Sequence, residues 1–288
     1  MAVPRRDHDG GVDTGTLVDR VTTVLQEVAA EVVEPRFANL ADGDVEEKAP
    51  KELVTTADTE AEVLLARRLS ELLPGVPVVG EEETAVKGQV PYDLLAEAPR
   101  VWLVDPLDGT SNFVAGSPDW GVMAALVEQG RTVLSWIWRP VDRSLFVAER
   151  GGGAWAGGRR LERTPAPAEA SQLKGGVLRR FLDASARATV DRNAGRFAAV
   201  TTGRMCAAVE YPLIAEGDQD FAVFGRTLPW DHAPGALLVE EAGGLARRHD
   251  GQPYRPDQAT SGLLVAAGEA AWTTVRVDLL EMEPCSPG

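Results

Sequence analysis

At 288 residues, with 25% charged and 44% hydrophobic side chains, the chain has the composition of a soluble globular protein with room for a substantial core. Its formal net charge of −15 excludes charge-driven binding to nucleic acid or to an anionic membrane, both of which need clustered Lys and Arg. The two cysteines, Cys206 and Cys285, show no CxxC or Cys/His ligand spacing, which excludes a disulfide scaffold and structural zinc and fits a reducing compartment. The first residues lack the apolar core of a signal peptide, and no apolar run reaches the roughly 18 residues of a membrane span, so a cytoplasmic location is expected.

In chain order, the polar stretch 1–13 carries no period. From Thr14 to Glu34, the residues Leu17, Val18, Val21, Leu25, Val28, Ala29 and Val32 recur at helical spacing, and Pro35 stops the pattern. The mixed charges of Phe37–Lys51 predict a loop. Leu53–Asp58 leads into a second helix with Val63, Leu64, Leu69, Leu72 and Leu73 on its apolar face, and Asp58 takes the N-cap position that Asp favours. Val76–Gly80 is a short strand running into Glu81, Glu82 and Glu83, a charge run expected in an exposed loop. Trp120–Val127, Thr132–Trp138 and Leu145–Ala148 read as three antiparallel strands, followed by a glycine-rich turn and short strand over 151–158. No Lys-Ser or Lys-Thr pair follows those glycines, which argues against a Walker-type phosphate loop.

Pro165, Pro167 and the small residues up to Ser171 mark the expected boundary between an N-terminal half, 1–165, and a C-terminal half, 166–288, within one catalytic unit. The second half predicts a strand near Gly175–Leu178, helices over Ser185–Val200 and Met205–Ala215, and a strand over Asp220–Phe224. An N-capped helix from Pro229 ends at Gly243 and Gly244, with Asp231 as a possible cap, and a strand at Leu263–Ala267 and a helix at Ala270–Leu280 close the chain.

The chemistry centres on 101–113. There an apolar strand ends in Asp105 and Asp108, separated by Pro106 and Leu107 and followed by Gly109 and Thr110. Pro106 turns the chain and ends the ladder, and Gly109 permits close backbone approach to a ligand. A helix starting at Thr110 would aim its free N–H groups at whatever the carboxylates hold. Carboxylates for a hard cation beside amides for an anion suggest a metal-bridged phosphate. Asp-Pro and Asp-Gly are also ordinary turn dipeptides, so both readings stand on this stretch alone.

Four separated segments carry a resemblance: Asp58, Gly80-Glu81-Glu82, Asp105-Pro-Leu-Asp108-Gly-Thr110 and Trp230-Asp231. Their order and spacing resemble the inositol monophosphatase family of metal-dependent, lithium-sensitive phosphatases, over roughly residues 50–245. The resemblance implies a layered α-β-α-β-α sandwich of the sugar-phosphatase type, an α+β fold, and a homodimer. It also implies two or three Mg²⁺ ions. Glu81, Asp105 and the Leu107 carbonyl would hold one, and Asp105, Asp108 and Asp231 another, with Asp105 bridging. Glu81 and Thr110 would position and deprotonate the attacking water, Asp58 would orient Thr110, Glu82 would support them from behind, and the N–H groups of Gly109 and Thr110 would cradle the phosphate.

The substrate is then a small phosphorylated metabolite, inositol-phosphate-like or a related sugar phosphate. Two departures concern the substrate side. Phe224 stands where the family commonly has a glutamate for ring hydroxyls, with Arg226 close by, and Met205-Cys206-Ala207 replaces a Gly-Ser/Thr-Ala stretch. These leave fructose 1,6-bisphosphate, histidinol phosphate or a nucleotide 3′-phosphate as alternatives, with a non-catalytic metal- or phosphate-binding regulator as the reading from another class. His232 and Trp230 are expected to pack or cap, and Lys48 and Lys51 are candidate phosphate contacts.

Overall fold

The computed structural model describes residues 14–41, 43–49, 52–260 and 262–283; Lys51, Cys285 and the stretch 1–13 lie outside them. Helix α1 (Thr14–Val28) runs on through a π turn at Ala29–Val33 and a 3₁₀ turn at Glu34–Arg36, where Pro35 ends the helical ladder. The segment expected as a loop instead contains β1 (Val45–Ala49), paired antiparallel with β2 (Glu52–Thr55). Its Val-Glu-Glu-Lys-Ala sequence has no apolar face, so the ribbon left no period to read.

Helix α2 (Thr56–Leu72) buries Ala57, Ala61, Leu65 and Leu69, whereas Val63, expected inside, is 72% exposed. Its N-cap is Thr55, not Asp58. Asp58 is the third helical residue and closes a capping box with Thr55.

Strand β3 (Val78–Gly80) leads into α3 (Glu81–Lys87), so the glutamate run is the first turn of a helix rather than a loop. After α4 (Tyr92–Glu97) come β4 (Val101–Asp108), α5 (Thr110–Val114), β5 (Gly121–Glu128), β6 (Arg131–Arg139), β7 (Ser144–Glu149), β8 (Gly153–Ala156) and β9 (Arg159–Leu161). Strands β3 to β9 form a seven-stranded sheet in sequence order, in which β3 is parallel to β4 and every later pair is antiparallel. The expected end of the ladder at Pro106 is an irregularity instead. Pairing with β5 lapses between Asp105 and Asp108 and resumes at Asp108 and Gly121.

Further on lie β10 (Lys174–Leu178), α6 (Ala184–Asn193), β11 (Ala199–Thr201), α7 (Ala207–Glu216), β12 (Phe221–Phe224), α8 (Pro229–Ala242), β13 (Leu245–Arg248), β14 (Leu263–Ala266) and α9 (Glu269–Thr274). Helix α6 is shorter than its sequence predicts, since the chain turns at Ala194–Arg196 and enters β11. Strand β13, with two arginines in four residues, gave no strand signal. The second sheet has the order β11-β10-β12-β14-β13.

Alternating burial stacks the layers. In β4, Trp102 and Val104 face a core with α1 and α2, while Val101 and Leu103 join Trp230 and Ala233 of α8. In β12, Ala222 and Phe224 face α7 and α8, while Phe221 and Val223 face Val190, Leu264 and Trp272. Helices α7 and α8 therefore lie between the two sheets, with α1 and α2 outside one sheet and α6 and α9 outside the other: α-β-α-β-α. Strands buried on both faces read as continuous apolar runs, which is why β4 and β5 are legible in the sequence.

Candidate active site

Three strand-to-helix junctions supply the carboxylates. At the end of β3, Gly80 leaves room for the Glu62 carboxylate of α2, which a Cβ there would meet at 2.3 Å and push aside. That carboxylate accepts the Glu82 and Glu83 N–H groups, each at 2.7 Å, and so caps α3 from outside with Glu81 at its first position. At the end of β4, Gly109 has φ +87°, and a Cβ there would lie 2.7 Å from the Asp119 carbonyl, so only glycine lets α5 start beneath the aspartates. The third residue of α8 is Asp231, on the positive end of that helix; the cap position is Leu228 and has no side-chain hydrogen bond.

Ligand atoms of Glu81, Asp105 and Asp231 lie within 4.8 Å of one another. Asp105 is 1% exposed; its Oδ1 accepts the Leu107 N–H at 3.0 Å, but its buried Oδ2 has no hydrogen-bond partner. A buried carboxylate oxygen without a partner is costly, and three converging carboxylates repel one another. Burial first, and then the charges of Glu81, Asp108 and Asp231, push the Asp105 carboxyl well above the usual carboxylate range. Burial and the charges of Glu81 and Asp108 do the same to Asp231. A hard divalent cation satisfies all of these groups at once, and an all-oxygen donor set fits Mg²⁺.

Asp108 stands beside this triad and not in it. Its Oδ2 accepts the Ala208 N–H at 2.6 Å at the start of α7, with Cys206 Sγ at 2.9 Å. One oxygen is thus spent on tying the end of β4 to the start of α7, and burial still raises this carboxyl to about 6. Thr110 Oγ1 lies 3.0 Å from Asp58 Oδ1 and 3.1 Å from the Leu107 carbonyl. The other Asp58 oxygen accepts from the Thr55 N–H at 2.8 Å and from its hydroxyl at 2.5 Å. Burial raises Asp58 to about 6, and burial with the Glu81 charge raises Glu82 to about 7. Lys48 places Nζ 2.6 Å from Glu81 and 2.8 Å from Glu82, so its ammonium is engaged by these carboxylates.

The same cleft, about 240 Å³, is also lined by Gly109, Met205, Cys206, Ala207, Phe224 and Arg226, all expected on the substrate side or at the phosphate. Phe224 and Cys206 are buried, at 2% and 1% exposure. Phe224 stacks on Tyr211 at 5.2 Å and meets His232 edge-on at 4.7 Å. His232 Nε2 lies 2.9 Å from the Arg226 carbonyl, which can only accept, so Nε2 carries the proton and Nδ1 accepts from the Tyr211 hydroxyl at 2.7 Å. Burial pushes His232 down to about 3, a neutral packing residue that also pins Arg226. Trp230 is likewise core, at 3% exposure.

Arg226 is ion-paired with Glu52 and stacks on Phe181, with Cζ 4.0 Å from the ring centroid. Glu52, Arg180 and Phe181 line the cleft and were not singled out from the sequence. The one available signal was two arginines and a phenylalanine just past an apolar strand, too common a pattern to mean anything alone.

An α-β-α-β-α sandwich with an acidic triad at its strand ends has the architecture of a divalent-metal phosphoesterase. The chain belongs to the inositol monophosphatase family, whose description it matches over residues 16–281. It is 31% identical over 251 residues to the inositol-1-monophosphatase of Mesorhizobium japonicum, covering 81% of this chain and 85% of that protein. It is 29% identical over 204 residues to the fructose-1,6-bisphosphatase/inositol-1-monophosphatase of Thermotoga maritima, covering 70% and 73%. The solved Thermotoga maritima IMPase superposes with a TM-score of 0.76 at 24% identity, over 92% of this chain and 96% of that one. Fold and triad together support a Mg²⁺-dependent phosphomonoesterase, a hydrolase of the phosphatase type.

Proposed function

We propose that this chain hydrolyses a small phosphate monoester by direct attack of water, without a phospho-enzyme. The observation that carries the reading is the convergence of Glu81, Asp105 and Asp231, with one buried Asp105 oxygen left without a partner, in a cleft also lined by Gly109 and Thr110. In this reading Glu81, Asp105 and the Leu107 carbonyl would hold one Mg²⁺, and Asp105, Asp108 and Asp231 would hold a second, with room in the family pattern for a third. When bound, the ions offset the negative charge of the ester and make water more acidic.

The remaining work belongs to the chain. Asp58, fixed by Thr55, accepts from the Thr110 hydroxyl. That leaves the Thr110 oxygen lone pairs to receive a hydrogen bond from the attacking water, while Glu81 takes its proton. Lys48, held by Glu82, donates to Glu81 and fixes its carboxylate. The Gly109 and Thr110 N–H groups receive the phosphate oxygens.

The names of the relatives put inositol 1-phosphate and fructose 1,6-bisphosphate first among candidate substrates. Phosphate release is to be measured on these, on histidinol phosphate and on 3′-phosphoadenosine 5′-phosphate, with and without Mg²⁺. Turnover that requires Mg²⁺ and disappears in Asp105→Asn and Glu81→Gln is expected. Mg²⁺ binding without turnover of any ester would favour a regulator instead. The same reading carries a cytoplasmic homodimer, tested by light scattering on the eluted protein, and two cooperating halves, 1–165 and 166–288.

A further inference from the structure

We infer that Arg180 is a specificity-determining residue: its guanidinium receives a second anionic group, a phosphoryl or carboxyl carried by the leaving alcohol of the substrate. The inference rests on the phosphatase reading above and adds the substrate class.

Strand β10 ends at Leu178, and a 3₁₀ turn at Arg179–Phe181 brings Arg180 and Phe181 to the cleft that holds the acidic triad. The Phe181 ring carries two cations, with Arg226 Cζ at 4.0 Å and Arg180 Cζ at 5.1 Å from its centroid. Their surroundings differ. Arg226 is ion-paired with Glu52, and the neighbouring Arg179 pairs with Asp191 at 2.9 Å. Arg180 has no ion pair or hydrogen bond among the described residues, and its Nη2 is buried without a partner.

Two guanidiniums meet one ring and only Arg226 has a carboxylate partner, so the Arg180 charge stands without an ion pair in a protein of net charge −15. Arginine cannot shed its proton, and Arg180, half-buried on the cleft wall, has no carboxylate beside it among the described residues to offset that charge. A carboxylate or a phosphoryl group supplies that counter-charge, and either offers two oxygens to the guanidinium fork. In the phosphatase reading the reacting phosphate would be held by the Gly109 and Thr110 amides and by cations on the carboxylates. The group that meets Arg180 therefore sits elsewhere on the substrate, and an alcohol bearing an amine is disfavoured in its place.

The test uses matched pairs: fructose 1,6-bisphosphate against fructose 1-phosphate for a second phosphoryl, and 3-phosphoglycerate against glycerol 3-phosphate for a carboxyl. In the wild-type protein with Mg²⁺, the member that carries the second anionic group should exceed its partner in kcat/KM in one of the pairs, and which pair shows it identifies the group. In Arg180→Ala that preference should fall about tenfold or more, chiefly through KM, as expected for a lost charge-assisted hydrogen bond. Arg180→Lys, which keeps the charge, should retain part of it.

An unchanged preference in Arg180→Ala overturns the inference, as does an equal loss on both members of a pair, which would make Arg180 structural or a contact of the reacting phosphate. Absence of any preference in the wild type overturns it too. Calorimetric titration of metal-free protein with fructose 1,6-bisphosphate and with 3-phosphoglycerate separates this from the phosphatase reading. Binding that weakens in Arg180→Ala, in a protein that hydrolyses nothing, would sink the phosphatase reading and leave the anion site standing. Failure of Arg180→Ala to weaken binding of either would sink the site.

Discussion

One cleft has two unlike linings. Its acidic part, from β3, β4 and α8, gathers carboxylates that repel one another and leaves an Asp105 oxygen without a partner. Its other part, from β10, β12 and the residues after them, is aromatic and cationic and is mostly satisfied internally: Phe224 stacks on Tyr211, His232 binds the Arg226 carbonyl, and Arg226 pairs with Glu52. The acidic part is strained for the fold and useful for chemistry. The aromatic part stabilises the fold and offers Arg180 as its one unfilled cation among the described residues. Substitutions should therefore separate activity from stability according to the lining they touch.

The largest effect is expected from Asp105→Asn, which should lower kcat/KM on the order of 10³-fold. Without Mg²⁺ the same variant should melt higher than the parent, because it removes a buried like charge; a lower melting temperature would contradict the repulsion argument. Phe224→Ala should do the reverse. It should cost about 3–5 kcal/mol in denaturant unfolding while leaving Mg²⁺-dependent stabilisation of the surviving fold in place.

Gly109→Ala should cost about 2 kcal/mol, since alanine is strained at φ +87° and its Cβ would meet the Asp119 carbonyl. It should also weaken phosphate inhibition, and unaltered inhibition would remove Gly109 from the phosphate cradle.

The smallest effect is one of pH. Asp58 and Glu82 are held at about 6 and about 7, above the roughly 4 of an unfolded carboxylate. The folded metal-free protein then binds more protons than the unfolded chain, so its stability falls as pH rises from about 4 through 7. A bound cation offsets that loss. The rise in melting temperature on adding Mg²⁺ should accordingly be greater, by a few degrees, at pH 8 than at pH 6. An equal rise at both would mean that the ion is held elsewhere.

Much of the acidic lining was legible in the sequence, because its signals are local. Apolar runs mark strands buried on both faces, Gly80 and Gly109 mark backbones that must pass close to another group, and Asp58, Glu81, Asp105 and Asp231 sit at or just beyond strand ends and in first turns of helices. Local pattern misleads where it is weak: β1 and β13 lack an apolar face, and Thr55 rather than Asp58 caps α2.

What only the tertiary structure decided are pairings between residues far apart in the chain. Asp108 gives one oxygen to the start of α7, Lys48 reaches Glu81 and Glu82, Glu62 caps α3, and Arg226 finds Glu52. The sequence alone determined which residue types stand at strand ends and helix starts, because turns and hydrophobic periods act over a few residues. Which charges are satisfied and which are left open for a ligand was decided by packing, because electrostatic partnership depends on distance through space and on burial, neither of which sequence separation encodes.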